Sequence, residues 1–250
     1  MNRIISVINQ KGGVGKSTTA LALAAGLGER GKLTLLIDLD AQGNLSYTAG
    51  ADGAAITAFD ILSGATAQSA VLSRRGFDLI AADPRLATAD IAFSSTGKEY
   101  RLREAIAPLH SLYDYIILDT PPALGILTIN ALTAATSAII PAQADIYSLQ
   151  GIGQLYSTIE AVKKYTNPTL SICGILLTRH NQRAVLSRDM TELIEETASR
   201  LETRVFKTKI REGVAIREAQ AARESLFSYA PKSNGALDYA EFINELLMHL

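Results

Sequence analysis

Tryptophan is absent from the 250 residues, cysteine occurs once, and histidine and methionine occur three times each. A lone cysteine closes no internal disulfide and supplies no paired thiolates, which excludes a disulfide-stapled secreted scaffold and a cysteine-held metal cluster and points to a reducing compartment. Cys173 lies in the apolar run from Leu170 to Leu177, where a buried structural thiol is expected over a reactive one. No apolar stretch reaches the ~18 residues of a membrane span. The opening MNRIISVINQ lacks the charged, apolar and cleavage regions of a signal peptide. Charge of one sign is also missing: the formal net charge is -1 and the pI is near 6.3. Whole-molecule attraction to nucleic acid is thereby excluded, and any such contact must come from a local patch.

What is present is ordinary globular material, 48% hydrophobic and 20% charged, enough to bury a large core. No internal repeat, low-complexity tract or Pro/Gly-rich linker interrupts it, so a single domain over residues 1–250 is expected. Short apolar runs at Ile4 to Ile8, Leu33 to Leu39, Phe77 to Ala82, Tyr115 to Leu118, Ala138 to Pro141 and Ile172 to Leu177 read as strands. They alternate with helical patterns over Ser17 to Leu27, Leu149 to Tyr165 and Ser187 to Leu201, and Gly31 is a plausible stop for the first helix. Such alternation predicts an α/β fold, a mostly parallel twisted sheet with helices on both faces. The weakly patterned Ala49 to Ala67 reads as a surface excursion with one short helix. The C-terminal ALDYAEFINELLMHL carries three acidic residues and no Lys or Arg, so core packing or partner docking is expected of it over membrane binding.

The chemistry begins at Lys11-Gly12-Gly13-Val14-Gly15-Lys16-Ser17-Thr18, between a predicted strand and a predicted helix. Glycines let a loop curl so that successive N–H groups face phosphate oxygens, with the helix N-terminus adding partial positive charge. Lys16 is then placed to reach β- and γ-phosphates, the Ser17 hydroxyl to ligate Mg²⁺ and Thr18 to hold the α-phosphate. Two carboxylates, Asp38 and Asp40, fall where the second strand ends. Asp119 closes the apolar run Tyr115-Ile116-Ile117-Leu118, as a strand that delivers a carboxylate toward magnesium-bound water does.

The general phosphate-loop pattern needs a glycine five residues before Gly15, with four residues between, and Gln10 stands there. KGGVGKST instead resembles the deviant Walker A motif of the ParA/MinD family, SIMIBI-type P-loop ATPases. Asp38-Leu39-Asp40-Ala41-Gln42-Gly43-Asn44 resembles its DxDPQGN switch motif with Ala41 for the usual proline, and Asp119-Thr120-Pro121-Pro122 matches its DTPP. The resemblance covers most of the chain and implies ATP and Mg²⁺ as cofactors. It implies that Lys11 reaches the partner subunit's nucleotide in an ATP-dependent homodimer, that Asp40 orients the attacking water and that Asp38 stands in the magnesium shell.

Within the family, a single cysteine argues against the cluster-carrier branch and the acidic C-terminus against the MinD branch, leaving the small, Soj-like ParA form. That form implies a weak, partner-stimulated ATPase for plasmid or chromosome partition, cytoplasmic and nucleoid-associated when ATP-bound, with nonspecific DNA and a ParB-like centromere-binding protein as partners and no stable membrane association. Because the first strand starts the sequence, no operator-specific repression is expected. By alignment Arg183 is the first DNA-binding candidate, with Arg217 the second and Arg179, Arg188 and Arg211 nearby, while Ala215 stands where relatives carry a further arginine. Ile210-Arg211-Glu212-Gly213 departs from the usual Ile-Pro-Arg-Asn of the adenine pocket, so Arg211 and Gly213 are expected to frame the base through main-chain groups. A ParA-like ATPase positioning a non-DNA cargo is the alternative, and a metabolic kinase or ligase is a third reading without a motif of its own.

Overall fold

The computed structural model describes residues 3–181 and 184–250. Seven strands form one sheet: β1 (Arg3–Val7), β2 (Thr34–Asp38), β3 (Leu72–Arg74), β4 (Phe77–Ile80), β5 (Tyr115–Asp119), β6 (Ser137–Ala142) and β7 (Ser171–Leu177). Their spatial order is β3-β4-β2-β5-β1-β6-β7. Every pairing is parallel except β3 with β4. The helices are α1 (Lys16–Glu29), α2 (Asn44–Thr48), α3 (Ala58–Leu62), α4 (Ala89–Ala92), α5 (Arg101–Ile106) and α6 (Ile126–Ala134), then α7 (Ile146–Tyr165), α8 (Val185–Arg200), α9 (Val214–Ala221), α10 (Leu226–Tyr229) and α11 (Asn234–Leu247).

The central strands are apolar on both sides because both faces are covered, as a parallel sheet requires. One buried cluster, with Ile4, Leu35, Ile116 and Ile140, packs under α3, α5, α6 and α7. The other, with Ile5, Leu36, Ile117 and Ile139, packs under α1 and α11. The six sequence-read strands are present to within a residue or two at each end, and the short antiparallel edge strand β3 is an addition. Gly31 stands just past the end of α1 at φ 72 and donates to Gly28 O (2.9 Å), so it does stop that helix. Ala49 to Ala67 holds the expected short helix, α3, but is no mere surface excursion: Ala51, Ala58, Ile61, Leu62 and Ala67 are buried. Small side chains carry the chain into the core there without a readable period. The C-terminal helix packs on α1, burying Ala236, Tyr239, Phe242, Ile243 and Leu246. No helix among the described residues is long and apolar enough to cross a membrane.

Register fixes where chemistry can gather. Asp119 pairs with Val7 across β1 and β5 and with Asp38 across β2 and β5. The phosphate loop and two acids therefore leave the sheet side by side at its carboxyl edge, where ligands bind in such sheets.

Candidate nucleotide site

Between β1 and α1 the chain turns through Gly13 and Gly15 at φ 77 and 86, a region that glycine enters freely. A Cβ at Gly12 or Gly13 would meet nothing within 4 Å, so the loop forms an open cradle and not a packed turn. No side chain caps α1, whose first N–H groups are thus offered to an anion. Val14 is buried beneath the loop, and its carbonyl accepts the Thr178 hydroxyl from the end of β7 at 2.7 Å. Asn9 braces the other side: its Nδ2 donates to Pro141 O (2.7 Å) and its Oδ1 accepts the Lys11 N–H (2.9 Å).

The two lysines diverge. Lys16 is 7% exposed and its Nζ reaches back to Lys11 O at 3.4 Å. Burial lowers its pKa, opposed by the charges of Asp119 and Asp40. The Lys11 side chain lies at the rim, where its Nζ meets Asp145 Oδ2 at 2.5 Å and lies 5.9 Å from the centre of the Tyr147 ring. Asp145 is also the N-cap of α7, accepting the Ser148 N–H at 2.8 Å. Burial alone would raise its pKa, but Lys11 and Ser148 outweigh burial and hold it below the usual carboxylate range.

Asp38 and Asp119 are fully buried but differently served. Asp38 Oδ2 accepts the N–H and hydroxyl of Ser46 at 2.9 and 2.7 Å, and Oδ1 accepts the Asp40 N–H at 3.1 Å. Burial still pushes its pKa up to about 6 against those bonds. Both oxygens of Asp119 are without a hydrogen-bond partner. Burial and the neighbouring Asp38 raise its pKa well above the ordinary value, with Ser17 and Lys16 opposing. A buried, unpartnered carboxylate beside the Ser17 hydroxyl is what a hard cation would satisfy. Among the described residues no three His, Cys, Asp or Glu side chains group to hold a metal by themselves. The donor set therefore fits Mg²⁺, which takes one or two carboxylates and completes its shell from phosphates and water. Asp40 stands at the mouth, its Oδ1 accepting the Gln42 N–H at 3.0 Å.

Two cavities meet at Gly13, Gly15, Thr18 and Gln220. The larger, about 590 Å³, runs from Lys16 and Ser17 past Asp40 and Gln42 to Pro122. The smaller, about 190 Å³, has Ile210 and Ile216 on its walls and room for a nucleobase beside the phosphate loop. Gly213, the N-cap of α9, lines it. Arg211 lines it too, but its guanidinium is turned to Asp238 on α11, with Nη2 to Oδ1 at 2.6 Å and Nε to Oδ2 at 3.0 Å. Glu212 pairs at 2.9 Å with Arg179, a non-glycine residue at φ 50. Arg217, the second DNA candidate, also lines this smaller cavity. Arg183 lies outside the described residues, and Arg188 is exposed on α8.

Sequence reasoning missed Asn9, Ser46, Asp145, Thr178 and Gln220. Gln220 donates from α9 to the Thr18 hydroxyl at 3.0 Å. An Asp145-x-x-Ser148 pattern does announce a helix N-cap, but no local signal says that Lys11 ends there.

A family model described as an AAA domain matches residues 2–172. The chain is 39% identical over 252 residues to the sporulation initiation inhibitor protein Soj of Bacillus subtilis, covering 98% of each. It is 38% identical over 253 residues to the chromosome partitioning protein ParA of Myxococcus xanthus, covering 99% of this chain and 88% of that one. Among solved structures, cobyrinic acid a,c-diamide synthase from Mycobacterium smegmatis with bound ATP analog and magnesium superposes with a TM-score of 0.87 at 35% identity, covering 100% of this chain and 96% of that one.

Proposed function

We propose that this chain, which belongs to the ParA/MinD family of P-loop ATPases, is a partition ATPase: an ATP-loaded homodimer that holds DNA without sequence preference and releases it on hydrolysis stimulated by a ParB-like partner. The partition reading is supported by near full-length similarity to Soj and ParA. The dimer reading is carried by one observation, the Lys11 side chain at the rim, paired with Asp145 and not with its own phosphate loop.

In this reading Ser17, Asp38 and Asp119 hold Mg²⁺ with ATP, and the cation supplies charge neutralisation across the phosphates. The cradle from Gly12 to Thr18 binds the phosphates through N–H groups. Lys16, kept in place by burial between the loop and Asp119, faces the β- and γ-phosphates. Asp40, oriented by the Gln42 N–H, positions the attacking water. Lys11 of each subunit, released from Asp145, meets charge developing on the other subunit's transferred phosphoryl group, as an arginine finger does. Main-chain groups at Arg211 and Gly213 frame the base. Arg183, and Arg217 where the dimer leaves it accessible, contact DNA phosphates, so that binding weakens with salt.

The test is binding to random-sequence duplex DNA without nucleotide, with ADP, with ATP, and with ATP on Asp40→Ala, at two salt concentrations. Salt-sensitive binding only with ATP, lost in Arg183→Ala, is the expected result. An ATP-loaded dimer that ignores DNA overturns the partition reading and favours a non-DNA cargo.

A further inference from the structure

Arg223 sits where its own backbone is disfavoured. It follows the last turn of α9 at φ 55, its N–H bonded to Gln220 O (3.1 Å) while the Glu224 N–H returns to Ala219 O (3.0 Å). A helix-ending turn of this kind takes glycine by default, because a Cβ strains the left-handed residue. Arginine makes use of the position through its side chain. The guanidinium carbon lies 4.0 Å from the centre of the Tyr47 ring, a cation–π contact, and the two terminal nitrogens reach the Asp52 carboxylate at 3.1 and 3.5 Å.

Those partners bracket the end of α2, the helix that follows Asp38 and Asp40 in the chain. Its Ser46 makes two of the hydrogen bonds to Asp38, and the turn before it, through Gln42 and Gly43, orients Asp40. Arg74 of β3 holds the same end from the sheet side, bonding to Ala49 O and Gly50 O at 2.9 and 3.1 Å. On the opposite wall of the larger cavity, Gln220 and Ala221 of α9 lie just before Arg223. Gln220 grips Thr18 of the phosphate loop, and Ile216 lines the base cavity. Tyr47 and Arg223 thus join the wall that holds the nucleotide to the wall that carries Asp38 and Asp40.

We propose that Arg223 is a positioning residue for hydrolysis, clasping α2 to α9 through Tyr47 and Asp52 so that Asp40 keeps its place relative to a nucleotide held by α9. The inference rests on Asp40 as the water-positioning carboxylate. An exposed ion pair and a surface stack add little to stability, so the effect lies in turnover and not in melting.

The full chain is compared with Arg223→Gly, Tyr47→Ala, Tyr47→Phe, the double variant Tyr47→Ala/Arg223→Gly, and Asp40→Ala as control. The readouts are Mg·ATP turnover, affinity for a fluorescent ATP analogue, and thermal unfolding. Arg223→Gly is expected to melt at or above the parent temperature, because glycine accepts the left-handed turn, while kcat falls about three- to tenfold and affinity stays within about twofold. Tyr47→Ala falls likewise, Tyr47→Phe recovers most of that loss because it keeps the ring face, and the double variant is no slower than the worse single one. Turnover of Arg223→Gly at the parent rate overturns the clasp, as does a parallel loss of affinity and kcat. If Asp40→Ala still turns over, the fault lies with the site reading. If Asp40→Ala is inactive while Arg223→Gly is unaffected, the clasp alone fails.

Discussion

Replacing Asp119 by asparagine removes a charge and nearly keeps the shape, so it separates what this carboxylate does for the empty protein from what it does for the site. Both oxygens are buried without a hydrogen-bond partner, and burial with the nearby Asp38 raises the pKa well above the ordinary value against the pull of Ser17 and Lys16. A carboxyl whose folded pKa is raised binds its proton more tightly in the folded than in the unfolded state. Its stabilising contribution is therefore complete below the unfolded pKa of about 3.9. It is lost as pH rises from there to the folded pKa, by at most about 1.4 kcal/mol per pH unit. Asp119→Asn has no such proton linkage. Calorimetry in EDTA should find the two proteins close near pH 4.5 and the variant increasingly the more stable toward pH 7, where a gain of ~1 kcal/mol raises Tm by about 2–4 °C in a chain of this size. With Mg·ATP the order reverses, because ligand binding stabilises the parent while the variant lacks a carboxylate for the cation. A difference that stays constant with pH would refute the buried-charge argument. Unchanged stabilisation of the variant by Mg·ATP would refute the assignment to magnesium.

Three further outcomes are expected. Asp145→Asn keeps the N-cap of α7 but frees Lys11 from a half-exposed ion pair, a contact of about 1 kcal/mol. Both subunits lose that contact on pairing, so sedimentation with a non-hydrolysable ATP analogue should show the dimer tightened by up to roughly 30-fold, and a weaker dimer would contradict the reading of Lys11 as held back in the monomer. Lys16→Ala removes the ammonium that faces the phosphates and should weaken ATP binding about 10- to 100-fold by calorimetric titration; unaltered affinity would end the phosphate-loop assignment. Glu245→Gln tests α11: the carboxylate accepts the N–H groups of Lys207 and Thr208 and the Thr208 hydroxyl at 2.8, 2.9 and 2.7 Å. Burial, which would raise its pKa, is outweighed by these bonds and His249, leaving it lowered. Its contribution is therefore present above the unfolded pKa of about 4.3 and lost as pH falls through the folded pKa. The variant should be ~2 kcal/mol less stable at pH 7 in urea unfolding, with the gap closing in acid, and a gap that widens in acid would reverse the assigned sign.

What could be read from the sequence was what is local along it. The cradle and its two lysines form one unbroken segment, and Asp38 and Asp119 end apolar runs whose length and β-branching mark buried strands. Their adjacency follows once those strands are neighbours in a parallel sheet. Asp145, Thr178 and Gln220 were invisible for the converse reason: each meets the loop from an element 134, 164 or 202 residues away, and nothing local to them marks the meeting. Ala49 to Ala67 misled because alanine gives no contrast between faces, so a segment with six buried positions looked unpatterned. Arg217 was read from alignment as a DNA contact, and only the packing of α9 puts it on the wall of the smaller cavity.

Buried acids alone do not mark a site in this fold. Asp238 and Glu245 are as enclosed as many core residues, yet each is matched, Asp238 by the N–H and guanidinium of Arg211 and Glu245 by three donors. They tie the segment from Lys207 to Arg211 onto α11 and need nothing further. Asp119 is unmatched, and around the two adjoining cavities at this edge of the sheet other local preferences are also broken: Lys16 is buried, α1 has no side-chain cap, and Arg179, on the wall of the smaller cavity, and Arg223, stacked on Tyr47 of the larger, take backbone conformations suited to glycine. Each departure would be corrected by an ordinary substitution at little structural cost. Their gathering around these two adjoining cavities, and not the presence of any single motif, is the physical argument that this edge of the sheet is built for a charged ligand. The third non-glycine residue in the left-handed region among those described, Glu202, lies just beyond the end of α8 and lines neither cavity, so one such departure by itself does not mark the site.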